Sequence, residues 1–234
     1  MRRTPRPTVP GRRPSHELGR GSPLRNGIVL LRRAGPTLRV LAIIPAYNEA
    51  ASIAGVVEAT IPYVEQVVVV DDGSKDGTAA VAATAGAFVL KQPRNGGKGA
   101  ALQAGADYAI GLGVDAIVAL DADGQHDPCS IPALIAPLAD GHADMSVGSR
   151  KRAWLATMPV LRLITNTCMS WLLSRVAGQP MEDTQSGFRC ISVPVLRSVR
   201  VATRHFEAES EFLLQAARHG WRIAWVPIQA IYGD

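Results

Sequence analysis

From Arg39 onward, apolar residues come in short dense runs separated by polar clusters, and between those runs they recur at helical spacing. The runs Val40–Ile44, Gln66–Val70, Ala87–Leu90, Ala116–Leu120 and Ala143–Val147 predict five strands. Val67–Val70 and Ile117–Leu120 are apolar at every position, the pattern of strands buried on both faces. Ala50–Thr60, Gly77–Ala85, Lys98–Gly111 and Ile131–Ala139 predict helices, the last with Pro132 in a first turn, where a missing N–H costs nothing. Strand and helix alternating in this way predict βαβ units and a doubly wound, mainly parallel α/β sheet flanked by helices. After Arg150 the alternation lapses. Val160–Val176 places Leu161, Ile164, Cys168, Trp171 and Leu172 on one stripe, with Arg162 and Arg175 away from it, which predicts an amphipathic helix. Core packing is the favoured reading of that stripe, and a seat at a membrane interface is the alternative. A polar loop at Glu182–Gly187, a helix over Ala208–His219 and a last strand over Arg222–Ile228 complete the pattern.

Composition alters this picture mainly at the N-terminus. With 234 residues, 47% hydrophobic and 19% charged, the chain has material for one sizeable core, and a single domain over residues 39–234 is expected. The net charge of +5 suggests a polyanion partner only until it is divided along the chain. Residues 1–39 hold ten Arg against Glu17, a net of +9, which leaves residues 40–234 at −4. The basic character therefore belongs to residues 1–38, a tail rich in Arg, Pro and Gly without an apolar period, and it is read as disordered. Nucleic acid is not an expected partner. Arg2-Arg3 does not begin an export signal, because the longest apolar run nearby is Ile28–Leu31. Cys129, Cys168 and Cys190 have no ligand-like spacing and are expected as reduced thiols. No stretch reaches the roughly 18 apolar residues that cross a bilayer. The reading places the chain in the cytoplasm, with any membrane contact peripheral and at the inner face.

Ligands of open parallel sheets bind beyond the carboxyl ends of the strands, and the polar clusters fall there. Strand one runs into Pro45-Ala46-Tyr47-Asn48-Glu49, strand two into Asp71-Asp72-Gly73-Ser74, and strand four into Asp121-Ala122-Asp123-Gly124-Gln125-His126. Asp121 and Asp123, one residue apart on a loop, form a pair suited to a hard divalent cation, Mg²⁺ or Mn²⁺, which completes its shell with substrate phosphates and water. Gln125 adds an amide oxygen, whereas His126 is left out of an oxygen-rich site. Asp72 suits a ribose hydroxyl or a base N–H, with Ser74 or Asp76 capping the next helix. Asn95-Gly96-Gly97-Lys98-Gly99 is not a phosphate loop. Gln92 stands where the first glycine belongs, and Gly99 stands where Ser or Thr would bind the metal. The dinucleotide fingerprint fails as well, at Leu102. What remains is a tight cationic helix entry that can face a ligand.

In this order and spacing, together with Gly148-Ser149-Arg150 and Asp183-Thr184-Gln185-Ser186-Gly187-Phe188-Arg189, the clusters resemble the family 2 glycosyltransferases. Within that family they look most like the branch of dolichyl- and polyprenyl-phosphate sugar synthases. The resemblance covers residues 39–234. It implies a GT-A type fold and transfer of a hexose, with inversion, from GDP-mannose or UDP-glucose to a polyprenyl phosphate in cell-envelope biosynthesis. By position, it implies that Pro45, Tyr47, Glu49, Val70 and Asp72 line the nucleoside pocket. Asp121, Ala122 and Asp123 then meet diphosphate and metal, with Gln125 alongside. Arg150 faces the phosphates, and Arg162 receives the lipid phosphate. An ionised phosphate acceptor needs positioning and charge screening rather than a base; were the acceptor a hydroxyl, Asp183 would be the first candidate for that base. Asp183 also reads as a loop carboxylate paired with Arg189 or capping a turn.

Members of this branch commonly continue past the last strand into a basic segment, and this chain stops at Tyr232-Gly233-Asp234. The departure is consistent with a truncated form, with another segment such as the Arg-rich tail in that role, or with a different acceptor. Two other readings compete. A sugar-phosphate nucleotidyltransferase would carry a glycine-rich basic loop after strand one, where Pro45–Glu49 has neither glycine nor cation. A nucleotide-sugar-binding protein without transfer activity would keep the donor site alone.

Overall fold

The computed structural model describes residues 38–150, 170–171, 174–199 and 207–229. Among these, seven strands form one sheet: β1 (Val40–Ala46), β2 (Gln66–Asp71), β3 (Phe88–Lys91), β4 (Ala116–Ala119), β5 (Met145–Ser149), β6 (Arg189–Ser192) and β7 (Ile223–Pro227). Helices are α1 (Ile53–Thr60), α2 (Thr78–Thr84), α3 (Lys98–Gly111), α4 (Ile131–Ala139), α5 (Val193–Ser198) and α6 (Glu207–Arg218). The predicted strands and helices before Arg150 are all present, with ends shifted by a few residues. Helix α1 starts later than Ala50 because the Glu49 carbonyl accepts the N–H groups of Ser52 and Ile53 in a turn that precedes it.

The strand order is β3-β2-β1-β4-β6-β5-β7. All neighbours pair in parallel except β6, which runs antiparallel to both β4 and β5. The expected mainly parallel sheet is therefore correct, with one addition. The sequence reading gave no strand to Arg189–Ser192 and no helix to Val193–Ser198, so it did not foresee an antiparallel strand wedged between β4 and β5. Four residues, two of them polar at the ends, carry too little periodicity to announce a strand. Their burial on both sides of the sheet makes them one.

Two apolar layers cover the sheet. On one face α1, α2 and α4 pack through Ile53, Val57, Ala82 and Leu134 onto Ala42, Ile44, Val69 and Val118. On the other, α3, α5 and α6 pack through Ala101, Ala109, Leu196, Leu213 and Ala216 onto Leu41, Ile43, Val68 and Ile117. Fully burying such side chains contributes about 1.5–3 kcal/mol each. Small residues let α3 approach closely. A Cβ on Gly105 would collide with the Ile43 side chain and stand 3.2 Å from Val70.

Chain direction decides where the site lies. Strands β1, β2 and β3 spread one way and β4 lies on the other side of β1, so the crevice opens at the carboxyl ends of β1 and β4, the switch point of the sheet. Ser170, Trp171 and residues 174–177 are helical, as expected for Val160–Val176, whose remaining residues, Arg162 included, lie outside the described residues. Core packing does not hold for Trp171, which is 60% exposed and carries the Arg175 guanidinium over its ring at 5.1 Å. The tail 1–38, apart from Leu38 itself, also lies outside the described residues.

Candidate active site

The loops after β1 and β2 are stitched together at the mouth of the crevice. Asn48 sits at φ 58°, a left-handed conformation that Asn tolerates better than most residues. From there its N–H donates to Ser74 Oγ at 3.0 Å, and its Oδ1 accepts the Lys75 N–H at 2.9 Å. The Glu49 N–H donates to Thr78 Oγ1 at 2.8 Å, and Asp76 accepts the Ala50 N–H at 3.2 Å. Tyr47 stands exposed, and Pro45 and Glu49 are half-buried, in the loop that follows β1. Val70 is different. Its side chain is fully buried in the α3 layer, so only its main chain is left for a ligand.

Asp72 is buried and already occupied on both oxygens. Oδ1 accepts the Gly96 N–H at 2.9 Å and Oδ2 accepts the Gly97 N–H at 2.7 Å. The acid expected to read a ribose thus ties the end of β2 to the entry of α3. Ligand contact from Asp72 must use its remaining lone pairs. Asp71 accepts the Ser74 N–H, and Asp76, rather than Ser74, accepts both the N–H and the hydroxyl of Thr78 at the start of α2.

At the end of β4 the two acids of the Asp121-Ala122-Asp123 triplet diverge. Ala122 turns into the apolar core, and Asp121 is pulled inward. Lys98 Nζ lies 2.5 Å from Asp121 Oδ1 and 2.6 Å from Glu209 Oε1, while His126 Nε2 lies 3.3 Å from Asp121 Oδ2. Burial alone would push the Asp121 carboxyl up. The bond to His126 and the charge of Lys98 overcome that and hold it well below the usual carboxylate range. Lys98 is shifted the other way: burial lowers it, and Asp121 and Glu209 together raise it further. The cationic entry of α3 does face the site, and its immediate target is Asp121.

Asp123 and Gln125, by contrast, are exposed, and Asp123 Oδ1 accepts the Gln125 N–H at 2.9 Å. Hard oxygens from Asp123 and the Gln125 amide suit Mg²⁺ or Mn²⁺, with Asp121 behind them as a fixed negative charge. Among the described residues no three Asp, Glu, His or Cys side chains converge as a closed cage. A cation bound by so few protein groups would take its other oxygens from phosphates and water.

The far side of the crevice is built by residues 182–187. Asp183 is fully buried and grips Arg150: Oδ2 accepts Nε at 2.9 Å and the backbone N–H at 3.2 Å, and Oδ1 accepts Nη2 at 3.2 Å. The expected alternative, a pair with Arg189, is not formed. Arg189 instead donates to backbone carbonyls of Ser186, Thr184 and Glu209. Gly187 presses against the acidic centre, since a Cβ placed there would lie 2.8 Å from both Asp121 oxygens and 2.9 Å from Lys98 Nζ. His126 Nδ1 and Ser186 Oγ are buried beside this contact without a hydrogen-bond partner.

The structure therefore pairs Arg150 with Asp183 and, through Gly187 of the same loop, sets that loop against Asp121, with Asp123 and Gln125 exposed beyond it. It adds His126, which the sequence reading set aside, and Glu209, which it did not single out. An acid three positions into α6 looks like a helix-end charge until the fold carries it across to Lys98.

The model of the glycosyl transferase family 2 matches residues 41–191. A UDP-N-acetylglucosamine–dolichyl-phosphate N-acetylglucosaminyltransferase from Methanococcus voltae is 31% identical, over 82% of this chain and 85% of its own. A polyprenol monophosphomannose synthase from Mycolicibacterium smegmatis is 33% identical, over 82% and 77%. Among solved structures, glucosyl-3-phosphoglycerate synthase from Mycobacterium tuberculosis, in complex with Mn²⁺, uridine-diphosphate-glucose and phosphoglyceric acid, superposes with a TM-score of 0.69. It covers 84% of this chain and 72% of that one at 23% identity, a likeness of fold.

Proposed function

The chain belongs to glycosyl transferase family 2, and from that premise we propose that it transfers a hexose from GDP-mannose or UDP-glucose to a polyprenyl-phosphate acceptor. The observation that carries the acceptor is the Arg150–Asp183 pair. Asp183, the acid expected to serve a hydroxyl acceptor, is 0% exposed and has both oxygens on Arg150. With both oxygens turned to Arg150 and its side chain buried, Asp183 is not placed to reach a hydroxyl acceptor, so the arrangement favours a nucleophile that arrives ionised. A phosphate is ionised at neutral pH, and a guanidinium such as that of Arg150 matches its oxygens in charge and shape. The relatives named above act on dolichyl phosphate or bear a polyprenol name, which supports the same class.

On this reading the donor nucleoside lies against Tyr47, Pro45 and Glu49, and Asp72 supports the pocket wall. Asp123 and Gln125 would hold Mg²⁺ or Mn²⁺, and a cation there would supply positive charge for the departing nucleoside diphosphate. Arg150 and Arg162 screen acceptor from donor. Exposed Trp171 and the Arg175 guanidinium stacked on it support a peripheral seat at the inner face of the membrane, because an aromatic body and a cationic tip suit the headgroup level. Among the described residues no helix is long and apolar enough to cross a membrane.

Paired acceptors test the proposal. Labelled hexose is offered with a short polyprenyl phosphate or with the corresponding polyprenol. Transfer to the phosphate and none to the alcohol is expected; equal transfer to the alcohol would show that a general base operates and would remove the argument from Asp183.

A further inference from the structure

Arg189 is the least expected charge in the fold. It opens β6 between Ala119 of β4 and Val147 of β5, on the same face as Ile191, and it is 4% exposed. A cation at such a place is costly unless its donors are used. Here each of its three nitrogens donates, and to a main-chain oxygen: Nε to Ser186 O at 2.7 Å, Nη2 to Thr184 O at 3.1 Å and Nη1 to Glu209 O at 3.0 Å. Glu209 Oε2 lies 3.9 Å away. Burial pushes the guanidinium pKa down, countered by Glu209, Asp183 and Asp121.

These three carbonyls belong to the two segments that support the site. The loop through Thr184 and Ser186 carries Asp183, which holds Arg150, and Gly187, which lies against Asp121 and Lys98. The start of α6 carries Glu209, which holds Lys98 and through it Asp121. We propose that Arg189 is the positioning residue that locks the 183–187 loop to α6 and thereby fixes Arg150 and Asp121 in one geometry. Its planar fork directs three bonds at once. A lysine ammonium keeps the charge but cannot reproduce that arrangement.

The inference rests on the transfer reaction proposed above and is tested so that the two separate. In Arg189→Lys, amide exchange over residues 184–188 is expected to quicken about tenfold while β1, β2 and β4 keep their protection. Turnover with polyprenyl phosphate is expected to fall about a hundredfold, the scale of a misplaced catalytic group. Binding of UDP or GDP measured without a cation should stay within about threefold, because the hydrogen bonds of Arg189 go to the 183–187 loop and α6 rather than to the β1 and β2 loops. A general loss of structure would move all three together. Unchanged exchange in the loop overturns the inference whatever the activity, and so does near-wild-type turnover with a loosened loop. If Arg189→Lys does not fold, Arg189→Met is read in the same way. If neither folds, Arg189 serves folding alone and the inference fails. A wild-type protein that transfers no sugar to lipid phosphate defeats the functional proposal, while loop exchange still decides the role of Arg189.

Discussion

At Gly187 a single added carbon is enough to disturb the acidic centre, because the position faces both oxygens of Asp121 and the ammonium of Lys98 at 2.8–2.9 Å. Gly187→Ala is expected to fold and to lose about a hundredfold in sugar transfer, since displacing a reacting group by about 1 Å costs that much; steady-state kinetics beside thermal unfolding would check it. Asp121 makes a prediction about pH. Its folded pKa lies below the unfolded value of about 3.9, so it stabilises the fold above that pH and the contribution is lost as pH falls toward the folded value. The gap in unfolding temperature between wild type and Asp121→Asn should be widest near neutrality and narrow steadily below about pH 4. A constant gap would mean that the ion pairs do not supply this stability. The pairing of Asp121 with Asp123 was visible in the sequence as a motif. The division of labour between them was not, because it depends on Lys98, His126 and Glu209, which arrive from α3, the following loop and α6.

At the scale of elements, strands and helices up to Arg150 were legible because each obeys its own period and the loops between them carry turn residues. The ties between loops were not. Asp72 looks like a ligand contact at a strand end, yet it accepts two N–H groups from the Gly96–Gly97 turn. At Gly73 (φ 75°) a Cβ would stand 2.8 Å from the backbone of Arg94 and Asn95, so the β2 and β3 loops are in direct contact. Removing the acceptor should loosen both. Asp72→Ala is expected to cost about 1–3 kcal/mol for each N–H left unpaired, less where water reaches it, and Asp72→Asn less than Asp72→Ala. Urea unfolding of the two variants measures the difference. Strand β6 escaped the sequence reading for a different reason: it is four residues long, and its identity as a strand comes from the two neighbours that enclose it.

Across the described residues, the polar clusters gather where strand order reverses, with the loops after β1 and β2 on one side, the acids after β4 between, and the 183–187 loop leading into β6 on the other. Family membership and the polyprenyl-phosphate likeness were legible from motif order alone, because the motifs sit at strand ends: those after β1, β2, β4 and β5 close a strand, and Asp183–Arg189 leads into β6. Trp171 shows the limit of periodicity, which marks one side of a helix as apolar without saying whether protein or lipid will cover it. The most direct measurement is transfer of radiolabelled sugar from GDP-mannose and from UDP-glucose to a short polyprenyl phosphate with Mg²⁺ or Mn²⁺, beside Asp123→Ala. The account predicts an organic-extractable glycolipid from one of the donors, formed only with the cation and lost in the variant. Donor binding that needs the cation, with no sugar reaching the lipid phosphate, would contradict it.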